Sequence, residues 1–148
     1  INIANMLMYD PGSNCHIINH PSRFNFKALT LPPNDSVACG NTRVPVVAIG
    51  TGSFTVKNPR GRDLPFTMHH CLYIPGFHTN IVGGSILYNN GIRLNEVDDT
   101  LNKNGKVICH LKRPTGHQPF FDTQDSGDGK PPPLSWPLNG ATPATYPF

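Results

Sequence analysis

No apolar run in this sequence is long enough to span a bilayer, which argues against a transmembrane helix. No charged stretch leads into an apolar one near residue 1, so a secretory signal is not expected among these residues. The four cysteines, Cys15, Cys39, Cys71 and Cys109, lie far apart with no Cys-x-x-Cys pair. That spacing argues against a zinc knuckle and gives no disulfide framework. The adjacent pairs Cys15-His16, His70-Cys71 and Cys109-His110 are poorly spaced for chelation, so neither a metal nor another cofactor is expected. Charge is scarce too, at 14% of residues. The net charge of +3 is spread over a cluster at Lys57, Arg60 and Arg62 and another at Lys112 and Arg113. Aromatics do not interleave with these charges, so they read as solvated surface rather than a nucleic-acid groove.

What the chain has instead is proline and glycine, 16 and 14 residues respectively, about a fifth of its 148 positions. Set against 37% hydrophobic residues, this mixture points to short strands joined by turns rather than to helices. The length suits one domain with a real core and not comfortably two. Because the sequence starts at Ile1 rather than Met, a processed piece or a segment of something longer is expected.

Taken in order, residues 3–9 read as a buried strand ending at Asp10, and residues 15–18 as a short apolar continuation. Asn19-His20-Pro21-Ser22 is a turn, after which Phe24, Phe26 and Leu29 are expected to anchor a loop ending at residues 31–35. Gly40-Asn41 tolerates positive φ and lies between apolar runs, which predicts a β-hairpin with its tip there. Pro45 puts one arm at an edge or in a projecting hairpin. A second arm at residues 53–56 turns at Asn58-Pro59-Arg60-Gly61 and returns over 64–73, where Leu64, Phe66 and Met68 alternate with Pro65, Thr67 and His69. Ile81-Val82 is a short apolar strand, Ser85 a candidate N-cap for a helix over 86–90, and Gly91 its stop. Ile92, Leu94 and Val97 continue as a strand. Asn104-Gly105 is the strongest hairpin signal, with Val107, Cys109 and Leu111 alternating after it. The fold class is therefore all-β with one short helix, as a small closed barrel or orthogonal sandwich over residues 1–122. Residues 123–148, with Pro131-Pro132-Pro133 and almost no apolar periodicity, read as a Pro/Gly-rich linker or tail outside the core, although Trp136, Tyr146 and Phe148 offer docking side chains.

One stretch carries the chemistry. Met6-Leu7-Met8-Tyr9 delivers Asp10 onto the turn Pro11-Gly12-Ser13. An aspartic protease needs this design, with an acid emerging at the end of a buried strand and a glycine letting backbone approach it. The tripeptide alone is equally an ordinary turn, since Asp, Pro and Gly are each favoured there.

Several segments, in order, resemble the protease region of copia-type retrotransposon polyproteins, relatives of the retroviral aspartic proteases. Where that family has Asp-Ser-Gly-Ala-Ser-Ser-His, this chain has Asp10-Pro11-Gly12-Ser13-Asn14-Cys15-His16. A family hairpin and a following Pro-Val-x-Gly-Ile-Gly-Thr correspond to residues 37–42 and to Pro45-Val46-Val47-Ala48-Ile49-Gly50-Thr51. The longest match sets Val-Leu-Tyr-Val-Pro-Gly-Leu-x-x-Asn-Leu-Leu-Ser beside Cys71-Leu72-Tyr73-Ile74-Pro75-Gly76-Phe77-His78-Thr79-Asn80-Ile81-Val82-Gly83. The resemblance covers about residues 3–122.

It implies a closed retropepsin-like barrel with Ile81-Val82-Gly83 as its apolar-apolar-Gly signature, active as a homodimer. Asp10 and its symmetry mate would be the catalytic pair, with Gly12 turning its backbone N–H to the carboxylate. Cys39-Gly40-Asn41-Thr42 would be a flap closing over an extended peptide. The substrate would be polypeptide, most naturally the chain's own polyprotein, cut in the cytoplasm within virus-like particles, with no membrane or nucleic-acid partner for this domain.

Three departures matter: Pro11 where the family has Ser or Thr, Gly40-Asn41 where it has Asp-Gly, and Gly83 where it has Ser. Pro11 supplies neither a hydroxyl nor an N–H for the cross-dimer bonds at the base of such a site. Two readings therefore stand side by side: an aspartic endopeptidase, and a protease-like barrel without catalysis that serves as a binding or assembly module. Asp125-Ser126-Gly127 spells the family tripeptide better than Asp10 does, but no apolar strand leads into it. His16 and His69-His70 read as satisfied or surface histidines rather than as ligands or bases.

Overall fold

The computed structural model describes residues 2–30, 36–39, 42–123 and 146–147. Their architecture is mostly β-sheet with a single short α-helix, as the turn-rich composition predicts. Strands β1 (Leu7–Asp10), β2 (Ile17–Ile18) and β3 (Lys27–Thr30) are followed by a separate two-stranded hairpin, β4 (Ser36–Cys39) with β5 (Thr42–Pro45). Next come the two longest strands, β6 (Ala48–Lys57) and β7 (Asp63–Tyr73), then β8 (Asn80–Gly83), helix α1 (Gly84–Asn89), and β9 (Ile92–Asn95). The chain continues through β10 (Thr100–Lys103), β11 (Lys106–Lys112) and β12 (Phe120–Phe121), and β13 (Tyr146–Pro147) pairs with β7.

The main sheet runs in the order β3-β6-β7-β2-β8-β1-β12-β11-β10-β9, and this ladder is open. The closed barrel expected from the sequence is thus not what the strand ladder forms. A single antiparallel bridge, Val56 to Thr123, lays the residue just past β12 against β6. Two clusters fill the interior. The larger gathers Leu7, Tyr9, Phe26, Phe54, Phe66, Met68, Val82, Leu101 and Phe121 among others, with the Phe54 and Phe66 rings stacked at 5.0 Å. The smaller holds Ile17, Val46, Ile74, Phe77 and Ile81, with Met8, Cys15 and Val44 packed on it.

Turn chemistry located most strand breaks. Asn104 and Gly105 have φ of 53° and 76° and close Lys103 onto Lys106, as a two-residue hairpin between right-twisted strands requires. Cys39 pairs with Thr42, so β4 and β5 are joined by a two-residue connection at Gly40-Asn41. Those two residues, the turn at 31–35, the decoy Asp125-Ser126-Gly127, and Trp136 and Phe148 lie outside the described residues.

Elsewhere tertiary pairing overrode the local pattern. Residues 3–6 are not strand: Thr79 Oγ1 donates to the Ile3 carbonyl (2.7 Å), and Asn80 Nδ2 donates to the carbonyls of Ala4 (3.2 Å) and Met6 (3.0 Å). Side chains thus take up the backbone groups a neighbouring strand would have used. Leu29, expected to anchor a loop, is 61% exposed on β3, because β3 pairs with β6 and turns it outward. Val97 is 96% exposed at the β9–β10 turn rather than in a strand. Cys109 and Leu111 are buried as the alternation after Asn104-Gly105 predicts, but Val107 is 39% exposed and Ile108 is buried instead, opposite the register shift between Leu101 and Asn102. Helix α1 begins one residue before Ser85, with Gly83 as its N-cap and no side-chain cap bond. Among the described residues, no helix is long and apolar enough to cross a membrane.

Asn80 is the hub of the polar clamp. It is fully buried, and its Oδ1 also accepts from the Asn19 N–H at 2.7 Å. Asn80→Ala would leave the half-buried Asn19 N–H without its acceptor and take one donor from each of the Ala4 and Met6 carbonyls, which keep Asn19 Nδ2 and Thr79 Oγ1 respectively. It is expected to lower the unfolding free energy by about 3 kcal/mol, read as a shifted urea midpoint at unchanged m. Lys57→Ala, which removes only an exposed ion pair to Asp63, is expected to move the midpoint hardly at all.

Candidate active-site turn

Strand β1 alternates cleanly. Leu7 and Tyr9 face the larger cluster, while Met8 and Asp10 face the other side. Asp10 stands at the strand's end and is half-buried. Pro11 follows it, and a residue before proline is held in the extended region, which continues the strand to its last residue. The chain then turns. The Ser13 N–H donates to the Asp10 carbonyl at 3.1 Å and the Gly12 N–H donates to Asp10 Oδ1 at 2.9 Å. This is a β-turn with Asp at its first position and Pro at its second, reinforced by the Asx bond that favours Asp there. Ser13 carries the chain onward: its Oγ donates to the Cys15 carbonyl at 2.8 Å.

The turn is fixed from below by residues more than seventy positions away. β1 pairs in parallel with β8 in the register Leu7–Asn80, Met8–Ile81, Tyr9–Val82 and Asp10–Gly83. The backbones approach so closely that no side chain fits between them. A Cβ at Gly83 would lie 2.7 Å from the Cys15 carbonyl oxygen, and one at Gly84 would lie 2.6 Å from Pro11 Cα. At Gly12 the nearest contact of a Cβ would be Asp10 Oδ1 at 3.5 Å, ordinary van der Waals distance. The close approach expected at Gly12 is therefore met at Gly83 and Gly84, and Gly12 contributes its N–H. The Ser85 N–H donates to the Ser13 carbonyl at 3.1 Å, tying the first turn of α1 to the same segment.

His16 completes the support. It is 0% exposed, and the Gly83 N–H donates to its Nδ1 at 3.0 Å. Nδ1 must therefore be an unprotonated acceptor, which fixes the neutral tautomer with hydrogen on Nε2. Burial, assisted by the nearby His69, pushes the imidazole pKa down to about 4. Its place in the Asp10-to-His16 segment was legible, but its role as the acceptor for Gly83 was not, because that contact is long-range.

Asp10 borders an open hollow of about 280 Å³ walled by Ile3, Met8 and Phe120, with His78, Thr115 and Gln118 at its polar rim. Among the described residues it is the single carboxylate in that lining. Asp63, Asp99 and Asp122 are engaged elsewhere, with Lys57, Arg113 and Lys112. Among the described residues there is no group of three or more His, Cys, Asp or Glu side chains placed to hold a metal ion. The structure thus brings together Asp10, Gly12, Ile81, Val82 and Gly83. Among the described residues, the Cys39–Thr42 hairpin forms a two-stranded sheet of its own, separate from the main one. That hairpin's base is nonetheless anchored nearby, since Val44 and Val46 belong to the small cluster that also holds Met8, Cys15 and Ile81.

No protein-family model, curated protein or solved structure matches this chain.

Two outcomes test the geometry. Gly84→Ala, whose Cβ meets backbone that cannot move aside, is expected to cost about 2–4 kcal/mol of stability, whereas Gly12→Ala folds normally by calorimetry. For His16, the folded pKa lies below the unfolded value of 6.5. Its contribution is therefore full above pH 6.5 and is lost as pH falls to about 4. The loss amounts to a stability difference on the order of 3 kcal/mol. His16→Asn, which keeps an acceptor oxygen in the Nδ1 position and does not titrate, should flatten that part of the stability–pH curve.

Proposed function

We propose that this chain is an aspartic endopeptidase domain of the copia-type retrotransposon class, acting as a homodimer on its own polyprotein within particles in the cytoplasm. The observation that carries this reading is the parallel pairing of β1 with β8. It lays the Asp10-x-Gly12 turn on the Ile81-Val82-Gly83 segment, the two motifs of the resemblance that lie farthest apart in the sequence. The sheet order supports the same reading. β12, β1, β8, β2, β7 and β6 follow one another, and the Val56–Thr123 bridge brings the two ends of that run together, as a small barrel with a one-bridge seam would.

The chemistry follows from the lone carboxylate. One acid cannot both activate water and protonate the substrate carbonyl, and on this reading the second acid comes from another copy of the chain. Two carboxylates brought that close share one proton. The ionised one removes a proton from water as it attacks the peptide carbonyl, and the protonated one donates to the carbonyl oxygen. The Gly12 N–H already donates to Asp10 Oδ1, which fixes the orientation of that carboxylate. The β4–β5 hairpin would cover an extended peptide and exclude water.

A second reading, a barrel without catalysis serving as a binding or assembly module, is favoured by one specific observation. Pro11, at the second position of the turn, lacks the N–H and hydroxyl that would bind a second copy, and the turn is satisfied within one chain.

Incubating the protein with a polyprotein-derived peptide at mildly acid pH separates the two. The endopeptidase reading expects cleavage that a statine-type inhibitor blocks and that Asp10→Asn abolishes. It also expects Pro11→Ser to tighten the dimer and raise activity about tenfold or more, since each restored polar link is worth about 1–3 kcal/mol. Cleavage indifferent to Asp10→Asn would sink it. A monomer throughout the micromolar range in sedimentation, with no cleavage, would establish the module instead.

A further inference from the structure

Strand β7 has two edges, and they are treated very differently. One is paired along its whole length with β6, from Lys57–Asp63 to Ala48–Tyr73. The other is tiled by two short parallel strands among the described residues. β2 covers Leu72 and Tyr73, and β13 covers Phe66 and Thr67. Between them lies an irregularity, where the β6–β7 register shifts between Gly50 and Gly52 and His70 takes a φ of 52°. This bulge ends the β2 ladder and starts a fresh edge at Asp63–Met68.

We infer that this fresh edge is an acceptor for an extended polypeptide strand, and that the chain's own Tyr146-Pro147 segment is its intramolecular occupant. Three features make it an acceptor. β7 is anchored on its other side by the longest ladder in the molecule, so the edge is preorganised. Both faces of β7 are covered there: Phe66 is fully buried toward the core and Thr67 is buried on the opposite face beside Ser53. Main-chain bonds formed at the edge are thus partly shielded from water and worth more than exposed ones. An uncovered edge of this kind would also invite pairing with other chains, a liability that an occupant removes.

The occupant is argued from the pairing itself. Tyr146 lies opposite Phe66 and Pro147 opposite Thr67, parallel to β7. A ladder this short would not hold a free peptide at millimolar concentration. Covalent connection to Thr123 makes the contact intramolecular and raises its effective concentration. Pro147, with no N–H, limits the ladder at its end, so the segment fills the edge without extending it. The recognition is by backbone, in parallel register, and separate from the Asp10 hollow; it does not depend on the endopeptidase reading.

Amide hydrogen exchange on the full chain tests this, comparing the native sequence with Tyr146→Pro, which removes the tyrosine's donor and keeps the length. Exchange at residues 66–68 is expected to speed up about tenfold, the factor that one or two main-chain bonds carry, with the β1–β8 amides unchanged. A second measurement uses Phe148→Cys carrying a nitroxide. Line broadening at the Phe66 and Thr67 amides within one labelled chain supports the inference. Broadening only in a mixture of isotope-labelled and nitroxide-labelled chains means that a second copy fills the edge and overturns intramolecular occupancy. Unchanged exchange, or no broadening in either sample, overturns the inference outright.

Discussion

The structure depends on one contact: two glycines of the β8–α1 junction passing directly under the Asp10 turn. Parallel pairing between residues so distant in sequence cannot be set by a hairpin, and it is slightly weaker per residue than antiparallel pairing. Its register has to be held by other means. Gly83 and Gly84 do part of this by exclusion, because a slip of one residue would drive a side chain into the backbone of Cys15 or Pro11. It would also turn Leu7 and Tyr9 out of the core. Asn80 and Thr79 do the rest by attraction, gripping the carbonyls of residues 3–6 just before β1 begins. Asn80, which falls on the Asn of the longest motif match, therefore has a physical role: it is the peg that sets where β8 sits on β1.

What could be read from the sequence was what local chemistry decides. Asn104-Gly105 and the turn at 58–61 each require particular backbone angles, and each marks a boundary between strands. The alternation of Phe66 and Met68 gave the inner face of β7 because both are fully buried in the observed strand. What escaped was decided at a distance. Nothing around residues 3–6 says that side chains from β8 will consume their carbonyls, so an apolar run was read as strand. No period reveals the bulge at His70 or the shift at Leu101 that turns Ile108 inward. For the candidate site, Asp10 and Gly12 are legible in the local strand-to-turn pattern and Gly83 in the family resemblance, whereas the burial of His16 and the demand for a side-chain-free crossing appear only when the two segments meet.

His16 sets a tension within the site. Its neutral form accepts from Gly83, directly opposite Asp10 in the ladder, so the support of the turn is strongest when the imidazole is uncharged. A pair of carboxylates sharing a proton works best on the acid side of neutrality. With its pKa held down to about 4, the imidazole remains largely neutral across the mildly acid range where such a pair would be half-ionised. On the endopeptidase reading, burial would reconcile the two requirements: an exposed histidine in this position would protonate first and release Gly83 before a pair of acids reached its working state.

Pro11 is best understood against the same contact. An isolated Asp-Pro-Gly turn needs only its own bonds, and both are present here within one chain. Such a turn would place no demand on residues 83 and 84. This one forbids a side chain at Gly84, where the closest approach is to Pro11 Cα itself, while the Cys15 backbone just beyond it forbids one at Gly83. The proline ring fixes its own φ and holds Asp10 extended, so the surface pressed onto Gly84 is rigid. The residue that removes a donor from any second chain is thus also the residue that makes the carboxylate's position within its own chain least variable. On the endopeptidase reading, loss of a cross-dimer bond and gain of local rigidity would be two effects of one residue, and they would act on different equilibria: the first on association, the second on where Asp10 stands within the associated pair.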